Sequence, residues 1–86
     1  MKIIFTEHAK IKFKILRQHG FEVNERQVRD IVENPDNTSK GKKARLIVQS
    51  PIDDTHVIRV ICEIESDNIK VITFYPARRE RYENKL

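Results

Sequence analysis

The sequence predicts an α+β domain in which two helices near the start of the chain cover one face of an antiparallel sheet. Three observations carry that prediction. Apolar residues recur at helical spacing through "EHAKIKFKILRQHG"; they do so again through "NERQVRDIVEN"; and from residue 41 onward the period becomes two, in runs rich in β-branched residues. With 86 residues there is room for a single domain, 1–86, and one modest core.

Each element has its own signal, in the order β-α-α-β-β-β. "KIIF" is a short apolar run closed by Thr6, a good N-cap for the first helix, and Gly20 is placed to end that helix. On it Ala9, Phe13 and Leu16 form an inward stripe with Ile11 and Ile15 beside it, while Lys10, Lys14, Arg17 and Gln18 face outward. The second helix opens with Asn24 as N-cap and Gln27 three residues on as a capping box, and Val23 and Val28 are spaced as a hydrophobic staple. Val28, Ile31 and Val32 give its buried stripe, and Asn34-Pro35 ends it because a residue before proline disfavours helical geometry. "ARLIVQS", "THVIRVICEIE" and "IKVITFY" then read as three antiparallel strands, separated by the turn compositions "PIDD" and "SDN". Pro76 is expected to end the last strand, leaving "ARRERYENKL" as a short helix or an ordered tail.

The middle strand divides its residues between two environments. His56, Ile58, Val60, Cys62 and Ile64 share the face expected to meet the helices; Arg59 sits mid-strand on the other, with Arg45 and Gln49 available from the preceding strand. Register decides which aromatic joins them. A two-residue turn at Asp67-Asn68 pairs Glu65 with Lys70 and puts Phe74 on the Arg59 face; a three-residue turn sets Tyr75 across from Arg59. The opposite-charge pair favours the first, which makes Tyr82 the better functional tyrosine.

The net charge of +4 favours polyanionic partners, and its distribution is patchy. Cations gather at Lys10 to Arg17, at "KGKKAR" and at Arg78 to Arg81; acids dominate residues 25–36 and 63–67. Cys62 stands alone within an apolar strand, which excludes an intramolecular disulfide and reads as a small buried hydrophobe. The start "MKIIFTEHAK" fits neither a signal peptide nor a membrane span, so a cytoplasmic location is expected. The three histidines lack companion ligands, so neither a metal nor another cofactor is implied. His19 is placed for a favourable interaction with a helix C-terminus, and His56 for a strand-end or core role.

Taken as an ordered set, "FTEHAKIKF", "FEVNERQVRDIVENP" and "VIRVICEIESDNIKVITFYPARRERYE" resemble the BrnT-type toxins and a related uncharacterised family of the RelE/ParE toxin superfamily. The most specific parts are His8-Ala9, Arg59 and the ending Ala77 to Glu83. That resemblance implies a compact toxin fold encoded with a cognate antitoxin. The implied activity is metal-independent RNA cleavage, in some cases on the ribosome, or in the ParE branch inhibition of gyrase.

Such cleavage requires a base for the 2′-hydroxyl, an acid for the leaving oxygen and cations for the phosphorane. His8 is the candidate base or acid, Arg59, Arg78 and Arg79 the candidate phosphate clamp, and Tyr82 the candidate stacking group or weak acid. Lys12, Lys40, Lys42, Lys43, Arg45 and Arg81 are candidate nucleic-acid contacts. The expectation is that His8, Arg59 and Arg78 or Arg79 converge in one basic groove. Two other classes stay open: a non-catalytic module binding nucleic acid or a protein such as gyrase through the same face, and a structural partner domain whose open face or edge strand another chain covers.

Overall fold

A computed structural model describes residues 2–82, without the side chains of Arg81 and Tyr82. The chain runs β1 (Lys2–Phe5), α1 (Glu7–Gln18), α2 (Glu25–Glu33), β2 (Asn37–Lys40), β3 (Arg45–Pro51), β4 (His56–Glu65), β5 (Asn68–Arg78) and the single turn α3 (Arg79–Tyr82). The five strands form one mixed sheet in the order β1-β5-β4-β3-β2, with β1 parallel to β5 and the other pairs antiparallel.

Both helix starts follow from the residues that begin them. The Thr6 hydroxyl accepts from the Ala9 N–H at 3.1 Å and donates to the Ile72 carbonyl, so one side chain caps α1 and ties it to β5. At α2 the Asn24 side chain accepts from the Gln27 N–H while the Gln27 side chain accepts from the Asn24 N–H, both at 2.9 Å. This is the reciprocal capping box the sequence predicts. Helix α1 ends as the glycine requires: Gly20 takes φ 87, its N–H donates to the Arg17 carbonyl, and the Phe21 N–H donates to that of Leu16.

Helix α1 packs on β5 and β1, and α2 on β3 and β4, so the two cover one face of the sheet. Phe13 joins the layers, its ring 4.6 Å from that of Phe74 and 5.7 Å from that of Phe5. Val28, Ile58, Val60, Val71 and Phe74 are fully buried there. Ile11 and Ile15 stay exposed, outside the inward stripe of α1.

Three details correct the sequence reading. The segment Asn37–Lys40, wholly exposed, forms the edge strand β2 against β3; its polar "NTSK" carries no alternating signal, because neither of its faces meets the core. Strand β5 continues through Pro76 to Arg78. Beyond Val71 it has no β1 partner, and an edge strand tolerates a residue without an N–H. The hairpin turn falls at Ser66-Asp67, with Ser66 at φ 53, so that Glu65 pairs with Asn68 and Glu63 with Lys70. Between Ile61 and Cys62 the pairing then shifts by one residue, which makes Ile72 the extra residue of a β-bulge and sets Tyr75 opposite Arg59.

Candidate nucleic-acid interface

The bulge builds the site. Before it Val71 lies opposite Cys62, and after it Phe74 lies opposite Val60, so both reach the core although they are three residues apart. A regular strand would have turned one of them outward. The consequence on the uncovered face is a row of residues running Tyr75, Arg59, Gln49 and Asn37 across β5, β4, β3 and β2.

Within that row the Arg59 Nε donates to the Tyr75 hydroxyl at 3.1 Å, and its terminal nitrogen donates to the Gln49 side-chain oxygen at 2.5 Å. Gln49 is buried to 5% exposure, so its carbonyl depends on this donor. The guanidinium is thereby held in a fixed orientation with a phenol ring at its side. Two residues along the strands comes the pair Ile47 and Ile61, and two further comes a charged row of Arg45, Glu63 and Lys70. Arg45 contacts Glu63 at 3.5 Å, and Lys70 contacts Glu65 at 3.1 Å. That diagonal contact is the ion pair from which the sequence argued the wrong register. In the loop bordering this face Lys42 and Lys43 are exposed, and Lys43 adopts φ 61.

The other predicted residues do not join Arg59. His8 is exposed in the first turn of α1, on the covered side, so the sheet lies between its helix and the Arg59 side chain. Arg78 pairs in register with His56, and so belongs to the covered face at the end of the sheet, where its terminal nitrogen lies 3.9 Å from Glu80. Arg79 anchors the chain end instead: its N–H donates to the Thr55 carbonyl, and its guanidinium to that of Asp53 at 3.2 Å. Lys12 lies on α1, and Lys40 is paired with Leu46 on the side away from Arg59. The roles expected of the Tyr82 and Arg81 side chains fall outside the described residues.

The histidine at the strand end has a structural part. The Asp53 carboxylate accepts from the Thr55 and His56 N–H groups at 2.8 and 2.7 Å, and lies 3.2 Å from His56 Nδ1. Backbone donation from Thr55 leads the effects that hold the Asp53 carboxyl below its usual range. The His56 ring meets Phe21 edge-on at 5.1 Å. Burial alone pushes the Cys62 thiol up to about 11, which keeps it protonated and inert at neutral pH.

Among the described residues there is no group of three His, Cys, Asp or Glu side chains placed to hold a metal, and no helix long and apolar enough to cross a membrane. Compared with protein-family models, with curated proteins and with solved structures, the chain matches none.

Tyr75 and Gln49 are the residues underestimated from sequence. The sequence offered Gln49 as a neighbour of the mid-strand Arg59 but not its burial, and it gave no sign of the bulge that delivers Tyr75.

Proposed function

We propose that the protein binds single-stranded RNA through the uncovered face of its sheet, as a member of a RelE/BrnT-like toxin architecture whose cognate partner is an antitoxin. The observation that carries this reading is the Tyr75–Arg59–Gln49 row at the centre of that face. A guanidinium supplies planar donors for a phosphate, the neighbouring phenol ring offers a surface for an unpaired base, and the exposed Lys42 and Lys43, with Arg45 and Lys70 that pair with Glu63 and Glu65, leave the same face with more cations than anions. Binding is favoured over cleavage because His8 is carried by a helix on the other side of the sheet.

A second reading, metal-independent cleavage, is favoured by one contact: the Tyr75 hydroxyl lies 3.1 Å from Arg59 and is the group there able to exchange a proton. One titration separates the two. Labelled single-stranded RNA and DNA of the same sequence are mixed with the protein at rising salt and recovered afterwards. The binding reading expects intact RNA and a log–log salt slope of about −3, from roughly four phosphate contacts on a single strand. Fragmented RNA transfers the function to cleavage with Tyr75 in the proton-transfer role, equal binding of DNA removes the preference for RNA, and no binding at low salt refutes both readings.

A further inference from the structure

The row next to Arg59 has two isoleucines at its middle, between Ser39 and Thr73, and lies between the Arg59 row and the charged row of Arg45, Glu63 and Lys70. Ile47 and Ile61 face each other across β3 and β4, and both are half-buried. The β2–β3 connection folds beside them: the Gly41 N–H donates to the Arg45 carbonyl at 2.9 Å, the Arg45 N–H donates to that of Lys42 at 3.3 Å, and Lys43 at φ 61 reverses the chain. Between loop and sheet lies a cavity of about 240 Å³ lined by Gly41, Lys42, Arg45, Ile47 and Ile61. Its lining is mostly apolar, two of its five residues being isoleucine, and it includes the cationic Lys42 and Arg45, the latter paired with Glu63.

That combination suits a flat, uncharged group carried on a polyanion. A free phosphate has no use for the isoleucines, and an aliphatic ligand has none for the lysine and arginine. The volume falls below the roughly 300–1,000 Å³ of pockets that take drug-sized ligands, and fits a single ring system. From the Ile47–Ile61 pair to the Gln49–Arg59 pair is two residues along each strand, about 7 Å, so one ligand can occupy the cavity and reach the guanidinium. Gly41 keeps the wall open. A Cβ built there lies 3.5 Å from the Arg45 Cβ and 3.6 Å from the Ile47 Cγ1, so a longer side chain at this position is directed onto the cavity floor.

We propose that this cavity receives one unpaired nucleobase of an RNA strand whose adjacent phosphate is held by Arg59. The proposal rests on the RNA-binding reading above and adds to it a site that distinguishes a nucleotide from a bare sugar-phosphate chain. Apolar side chains hold an extruded base by contact with its faces, and removing the base removes that contact while leaving every phosphate in place.

The test measures binding of a fluorescent RNA octamer, and of the same octamer with abasic ribose at its central positions, to the wild type and to Gly41→Leu. A melting curve of each protein establishes that it folds. The wild type is expected to prefer the complete octamer by about fivefold or more, and Gly41→Leu to lose most of that preference while binding the abasic octamer as the wild type does. If Gly41→Leu keeps the full preference, the base is recognised elsewhere, as by the Tyr75 ring, and the cavity assignment is overturned. Equal wild-type affinity for both octamers also overturns it and leaves the phosphate-binding reading standing. Failure to bind either octamer removes the RNA reading itself, and the cavity's role with it.

Discussion

At the scale of single residues, Arg59 serves two ends that a mutation can separate. It satisfies the buried Gln49 carbonyl, and it presents a guanidinium beside Tyr75 on the uncovered face. Replacement by alanine orphans the glutamine, at about 1–3 kcal/mol, so loss of binding in that variant is confounded by loss of stability. Arg59→Lys keeps the charge but not the planar fork. It is expected to bind RNA about tenfold more weakly with a melting temperature within a few degrees of the wild type, measured by anisotropy and circular dichroism. Cys62 gives a second check at this scale. Its raised thiol pKa and burial predict no alkylation by iodoacetamide at pH 8 in the native protein, and rapid alkylation once denatured, read by mass spectrometry. Arg59 could be singled out from the sequence because arginine at mid-strand is unusual. Tyr75 could not be assigned, because the face it takes depends on one inserted residue at Ile72 that side-chain alternation does not reveal.

Among the elements, the helix starts were the most legible parts, since capping depends on a few residues close in sequence. Asn24→Ala removes the acceptor for the Gln27 N–H and breaks the capping box; about 1 kcal/mol of stability should be lost in a urea titration. The β3–β4 connection carries a pH dependence. Asp53 has a folded-state pKa below its ordinary value, so its contribution to stability is present above the unfolded pKa near ~4 and is lost as pH falls through the folded value. Thermal melts across pH 2–6 should therefore show a fall in stability at the acid end that is smaller in Asp53→Asn. The same connection anchors Arg79, so "ARRERY" reads less as a wall of a groove than as a chain end fastened to a turn. Its cations looked functional in the sequence because adjacency to a strand end says nothing about which backbone carbonyls lie within reach.

For the whole molecule, the fold class and the covered face were legible because periodicity and burial come from the same side chains. The sheet was legible in part. Strand β2 is polar and exposed on every residue, and the parallel β1–β5 pairing joins segments more than sixty residues apart, which local patterns do not encode. The expected groove failed for a reason of architecture. Its histidine lies on a helix, its arginine lies on the far face of the sheet that the helix covers, and no change of rotamer carries one to the other. What remains is a protein with cations on both sides of its sheet: Lys10, Lys14 and Arg17 outward on α1, and Arg59, Arg45 and Lys70 on the uncovered face.

Neutralising the two cationic surfaces separately is the most direct test of the proposal that the Arg59 face binds RNA. A Lys10→Gln, Lys14→Gln variant removes charge from α1, and an Arg45→Gln, Lys70→Gln variant removes the same charge from the uncovered face without touching Arg59 or the core. Titrated with one labelled single-stranded RNA at one salt concentration, the uncovered-face variant should bind at least fivefold more weakly than the wild type, and the α1 variant within twofold of it. The reverse order, or equal weakening of both, would contradict the assignment of RNA binding to the Arg59 face.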